Sequence, residues 1–282
     1  MNVYDKVYLI GNGRIAVDCL KILFNYRKDV IYLIIGEEKF GFSTKFCERN
    51  KILCLHVSRE NIEKYLLSIT EKTLVISAHN GYLFPREVIA KDNIKIINMH
   101  IALLPNYRGM NVPTWEIYDQ QKYAGTTWHE VIGSIDSGGI IVQDSFEIDK
   151  HDTAMKVLQK SFRLGVELLN KNVENFLTDQ YKVIYSSEKT RLYLGKEKPN
   201  GGYMDYSWNL DKKYAFLRSM DYSGTDIMPL PRVVDDNREY EIWKYQWIED
   251  KEKVALREDE KVIKFYKGGE ESFLICWLRE VV

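Results

Sequence analysis

The sequence predicts an α/β fold: a central, mostly parallel sheet flanked by helices, followed by a small β-rich C-terminal region. Three observations carry this prediction. Short β-branched runs alternate with amphipathic stretches through the first hundred residues, the rhythm of βαβ units. A glycine-bearing turn, Gly11-Asn12-Gly13-Arg14-Ile15-Ala16, sits between the first run and the first amphipathic stretch. Beyond residue 203 the pattern gives way to aromatic-rich strands.

Taken in order, KVYLI (6–10), VIYLII (30–35), ILCLHV (52–57), LVISAH (74–79) and IKIINMH (94–100) read as strands. Between the first two, IAVDCLKILF places Ile15, Cys19, Leu20 and Phe24 on one helical face, and NIEKYLLSI supplies another short amphipathic helix. After residue 124 two further strands, AGTTWHEV and GGIIVQDSFEI, are joined by a Gly/Asp/Ser turn. A long helix follows over 153–177, with Asp152 placed to cap it. Its stripe of Ala154, Val157, Leu158, Phe162, Val166, Leu169, Val173 and Phe176 is explained by core packing. The polar stretch 186–202 reads as a connection. A helix around 212–220 and the strands EYEIWKYQW, KVIKFY and SFLICWL complete the chain. The expected division is therefore 1–185 as one domain, 186–202 as connection and 203–282 as a helix with a small β-rich subdomain.

The composition suits a globular chain: 282 residues, 45% hydrophobic, 29% charged, with 40 basic against 41 acidic residues for a formal net charge of -1. That balance shows no global basic excess of the kind that grips nucleic acid or an acidic membrane. No run of about 18 apolar residues is present to span a bilayer. The start, MNVYDKVYLI, lacks a signal-peptide pattern, so a cytoplasmic protein is expected. Cys19, Cys47, Cys54 and Cys276 show no CxxC spacing and read as free, mostly buried thiols. The five histidines are scattered without an HExxH, and no metal site is expected.

In an open parallel sheet, ligands collect outside the carboxyl ends of the strands, here after Ile10, His79 and His100. The GNGRIA turn admits three readings: a dinucleotide fingerprint with Glu37 or Glu38 as the ribose-binding acid, a phosphate or sugar-nucleotide contact, or a purely structural tight turn. The first would make the chain a nicotinamide-dependent oxidoreductase. A sharper constellation lies further on. Asn98 and His100 are two apart on one strand and share a face. Asp136 lies in a glycine-flanked turn that can bring a carboxylate to the imidazole. An amide donor, an imidazole and a carboxylate suit acyl transfer to an amine that is already a nucleophile, with protons and charge to manage and no covalent intermediate to form.

The series Asn98-Met99-His100, Leu103-Leu104-Pro105-Asn106-Tyr107-Arg108-Gly109, Thr127-Trp128-His129 and Asp136-Ser137-Gly138-Gly139 resembles the folate-dependent formyltransferases, a family that includes glycinamide ribonucleotide transformylase, methionyl-tRNA formyltransferase and the nucleotide-sugar N-formyltransferases. One departure is Ala102, where the family usually has Ser. The resemblance covers about the first 180 residues. It implies a Rossmann-like formyltransferase domain, 10-formyltetrahydrofolate as donor, and Asn98, His100 and Asp136 as the catalytic set. By the same resemblance the pterin lies against Tyr82, Leu83 and Phe84 and the segment Ile132 to Asp136, although Tyr82 and Phe84 read equally well as core aromatics. Gly11, Gly13 and Arg14 would face the phosphate or sugar of the acceptor, with His79 and Arg108 as further substrate contacts. Tyr222 and Trp208 offer rings for a base, or else for the core or a dimer interface. The stretch LRSMDYSGTDIMPLPRV followed by EYEIWKY is similar to the tail of the sugar enzymes, which implies a nucleotide-linked amino-dideoxy sugar as acceptor, a role in surface-glycan (O-antigen) synthesis, and a homodimer. A methionyl-tRNA formyltransferase-like enzyme is the alternative.

Overall fold

A computed structural model describes residues 3–36, 41–188, 190–249, 256–257, 260–266 and 272–281. In chain order the elements begin β1 (Lys6–Ile10), α1 (Gly13–Tyr26), β2 (Ile31–Ile35), α2 (Phe42–Asn50), β3 (Leu53–Val57), α3 (Ile62–Leu67) and β4 (Thr73–Ser77). They continue with α4 (Arg86–Ile89), β5 (Ile94–His100), β6 (Arg108–Gly109), α5 (Val112–Tyr118), β7 (Tyr123–Glu130), β8 (Ile140–Glu147) and α6 (Ala154–Thr178). The C-terminal part holds β9 (Leu192–Tyr193), α7 (Leu210–Ser219), β10 (Arg232–Asp235), β11 (Arg238–Ile248), β12 (Val262–Tyr266) and β13 (Phe273–Glu280). No helix among the described residues is long and apolar enough to cross a membrane. The chain forms two compact units, each built from separate stretches: Met1–Gly109, Gly125–Phe146 and Lys160–Leu192 in the first, and Met110–Ala124, Glu147–Gln159 and Tyr193–Val282 in the second.

The first unit is built on a seven-stranded sheet of order β3-β2-β1-β4-β5-β7-β8. Strands β1 to β5 are parallel, as their near-continuous apolar runs require of strands covered on both faces. β7 then runs antiparallel to β5. The sheet order reverses beside β1, whose neighbours are β2 and β4, which leaves a crevice at their carboxyl ends. On α1 the buried set is Ala16, Val17, Cys19, Leu20 and Leu23, while Ile15 and Phe24 are half-buried against the same core. A helix lying on a sheet buries a broader face than a single four-residue stripe, which is why the expected set shifts. Within α6, Leu168, Leu169, Val173, Phe176 and Leu177 are buried. At its start, Asp152 Oδ2 accepts from the Asp149 N–H at 2.9 Å, and Thr153 Oγ1 accepts from the Lys156 N–H at 3.4 Å.

Gly11 is required by packing. A Cβ there would sit 1.9 Å from the Ala78 carbonyl oxygen, where the chain leaving β1 presses on the chain leaving β4. Gly11→Ala is therefore expected to lower stability by about 2 kcal/mol or more. A denaturation midpoint equal to that of the parent would contradict this.

In the second unit an antiparallel sheet of order β10-β11-β13-β12 is folded around Ile248, Ile275 and Trp277, and β11 is bulged between Ile242 and Lys244. α7 is capped by Asn209, whose side chain accepts from Lys212 N, and it packs against α5. Cys19, Cys47 and Cys276 are buried free thiols, and Cys54 is half-buried.

Candidate active site

The expected catalytic side chains meet at the carboxyl end of β5. Asn98 and His100 share one face of that strand. Residues 131–139, between β7 and β8, return Asp136 to them in a left-handed conformation (φ 46°). Asp136 Oδ2 lies 3.5 Å from His100 Nδ1 and Oδ1 lies 3.5 Å from His129 Nε2, while the Gly109 N–H donates to Oδ2 at 2.9 Å. Arg108 anchors the same loop by donating from Nε to the Ile135 carbonyl at 2.8 Å. Thr127 braces the segment that leads to it: its hydroxyl donates to the Ala102 carbonyl at 2.6 Å and accepts from the Leu104 N–H at 3.2 Å.

Hydrogen bonding fixes the ring chemistry. His100 Nε2 faces the Tyr107 carbonyl at 2.9 Å and must donate to it, so in the neutral ring Nδ1 is the basic nitrogen. Burial pushes the His100 pKa down, against the pull of Asp136, and favours the unprotonated ring. Burial acts in the opposite sense on Asp136, but in acid, where an imidazole carries a second proton, the His129 and His100 rings join the Gly109 N–H in outweighing it and hold the carboxyl down at about 2. Both groups are depressed in the folded state, so both contribute stability that is present near neutrality and lost on acidification. For Asp136 the contribution is about 2 kcal/mol above roughly pH 4 and vanishes as the pH falls through about 2. The stability gap between the parent and Asp136→Asn should narrow across that window in acid titrations followed by urea unfolding.

The remaining expected contacts divide. Tyr82 and Phe84 stack edge-to-face at 5.5 Å and, with Val131, pack on the core beneath the sheet. Leu83 and Ile132 instead point outward, 68% and 40% exposed. His79 follows β4 in a left-handed conformation (φ 55°), with Nδ1 bonded to the Asn12 carbonyl at 2.8 Å and its ring edge-on to Phe162. Gly13 adopts φ 70°, and the exposed Arg14 pairs with Asp18. Glu37 and Glu38 lie outside the described residues. In the second unit, Tyr222 is 3% exposed, its hydroxyl bonded with that of Thr114 at 2.9 Å, and Trp208 is half-buried against Phe216 and Tyr118.

Two polar residues of the site carry no assigned role in the sequence reading. His129 belongs to the Thr-Trp-His motif, and the antiparallel register sets it opposite Asn98. Ser77 is the one hydroxyl ending the apolar run of β4, a signal legible only once β4 is paired with β5. Among the described residues no group of three or more His, Cys, Asp or Glu is arranged to hold a metal.

An amide, two imidazoles and a carboxylate thus stand together at the carboxyl end of β5, beside β7. A formyl transferase family model matches residues 26–173, and the chain belongs to that family. It is 30% identical over 147 residues to a methionyl-tRNA formyltransferase from Natranaerobius thermophilus, covering 52% of this chain and 47% of that protein. It is 26% identical over 147 residues to a GDP-perosamine N-formyltransferase from Brucella melitensis, covering 52% and 56% respectively. The chain spans about half the length of these curated relatives. Its fold matches that of an N-formyltransferase from Helicobacter canadensis, solved with folinic acid and dTDP-3-aminofucose, with a TM-score of 0.75 at 17% identity over 97% of this chain and 99% of that one.

Proposed function

We propose that this chain moves the formyl group of 10-formyltetrahydrofolate to the primary amine of a nucleotide-linked amino sugar. The observation that carries the reading is the convergence of Asn98, His100 and Asp136, with His100 kept unprotonated and Asp136 ionised. The amine nitrogen attacks the formyl carbon, and the carbonyl oxygen becomes an oxyanion that accepts a hydrogen bond from Asn98 Nδ2. His100 Nδ1 takes the proton that the amine sheds, and the imidazolium is stabilised by Asp136. Breaking the bond to the folate N10 regenerates the carbonyl, and the proton passes to N10. The exposed Leu83 and Ile132 offer an apolar edge for the flat folate ring. Gly11, Gly13, Arg14 and His79 follow the adjacent strands β1 and β4 at their carboxyl ends, and we assign them to the acceptor.

A sugar acceptor is supported by the Helicobacter canadensis enzyme, whose chain matches this one along nearly its whole length, and by the formal charge of -1, which offers no evident grip on a folded tRNA. The methionyl-tRNA reading is favoured by one observation, the 30% identity to a translation enzyme. Incubation with 10-formyltetrahydrofolate and a panel of nucleotide-linked amino sugars, read by mass spectrometry, decides between them. Addition of a formyl group to a sugar is the expected result. No product across the panel, with methionyl-tRNA accepted, would overturn it.

A further inference from the structure

We infer that Ser77 is a positioning residue that sets which end of the Asn98 amide faces the reacting carbonyl. The inference rests on Asn98 as the oxyanion donor proposed above. An asparagine amide has nearly the same shape either way round, so only its hydrogen-bond partners distinguish the NH2 from the oxygen. Ser77 on β4, Asn98 on β5 and His129 on β7 are register partners on adjacent strands and form one row across one face of the sheet.

Along that row every donor points the same way. Asn80 Nδ2 donates to Ser77 Oγ at 3.3 Å, and the Ser77 hydroxyl donates to Asn98 Oδ1 at 2.8 Å. At the far end, His129 Nδ1 faces the Glu130 carbonyl at 2.8 Å and must donate to it. With its proton on Nδ1, the His129 ring presents a lone pair at Nε2, which accepts from Asn98 Nδ2 at 3.3 Å. One amide hydrogen is used in this way. The second has no protein partner among the described residues and is the one available to an oxyanion. A reversed amide would set Oδ1 against the His129 lone pair. The Ser77 hydroxyl, 1% exposed in a strand of otherwise mostly apolar residues, ties Asn98 Oδ1 at the other end of the amide.

Ser77→Ala should lower kcat on the order of tenfold, the worth of roughly one hydrogen bond, with KM for the folate unchanged. In an Asn98→Ala background the same substitution should cost nothing further, since there is no amide left to orient. An additive loss in the double variant would overturn the inference. The second readout needs no substrate. In 15N-asparagine-labelled protein the Asn98 side-chain pair, assigned by its disappearance in Asn98→Ala, should shift and exchange faster in Ser77→Ala. An unchanged pair would also overturn the inference, whereas absence of turnover in the parent would count against the formyl-transfer reading alone. If Ser77→Ala does not fold, Ser77→Cys keeps a side chain of similar shape with a weak donor and should move the same signals in the same direction.

Discussion

Asn98→Ala and His100→Ala should each lower turnover by on the order of a hundredfold or more, with affinity for folinic acid nearly unchanged. The two substitutions fail for different reasons. Removing the Asn98 amide takes away the proposed oxyanion donor, whose value grows only as negative charge develops on the formyl oxygen, so kcat should fall while ground-state binding is spared. Removing the His100 ring deletes the proposed proton acceptor and the hydrogen bond that Nε2 gives the Tyr107 carbonyl, which adds a stability cost of about 1 kcal/mol. His100→Gln, which can still reach that carbonyl, separates the two effects. Steady-state kinetics with the acceptor identified by mass shift, alongside calorimetric titration of folinic acid, make the comparison. Turnover equal to the parent in both alanine variants would remove these residues from the chemistry.

Gly138→Ala should be nearly as damaging without touching any reacting group. A Cβ at this buried position would lie 1.7 Å from the Glu130 carbonyl oxygen, so the backbone must move. The loop that moves carries Asp136 between His100 and His129, and the expected result is a loss of about 2 kcal/mol or more together with most of the activity. Gly133, in the same loop, has open space where a Cβ would go, and Gly133→Ala should behave as the parent. Urea unfolding and turnover measured on both variants test the claim. A harmless Gly138→Ala would mean that the loop does not hold Asp136 in place.

The strands were legible because each is a short apolar run bounded by polar residues; β1 and β5 coincide with the predicted runs to the residue. The reversal at β7 was not legible, since strand direction depends on partners distant in sequence. Of the site, Asn98 and His100 follow from the period of a strand, and Asp136 was visible through its glycine-flanked motif. Ser77 escaped because a serine ending an apolar strand looks like a boundary until β5 is laid beside it. His129 stood in the Thr-Trp-His motif, but its role escaped for the same reason: its partner is 31 residues away in sequence and becomes a neighbour only through antiparallel pairing. The division into two units, each stitched from separate stretches, is likewise invisible to a reading that moves along the chain.

The row that joins Ser77, Asn98 and His129 bears on how such a protein can diverge. Its members stand on backbone pairing, so a slip of one residue in β5 or β7 would turn Asn98 or His129 to the opposite side of the sheet. The exposed side chains of Arg14 and Leu83 answer to no such register. On the proposed function, drift at such positions would retune what is recognised while the chemistry is inherited intact, and a change of acceptor would call for new side chains around an old ladder.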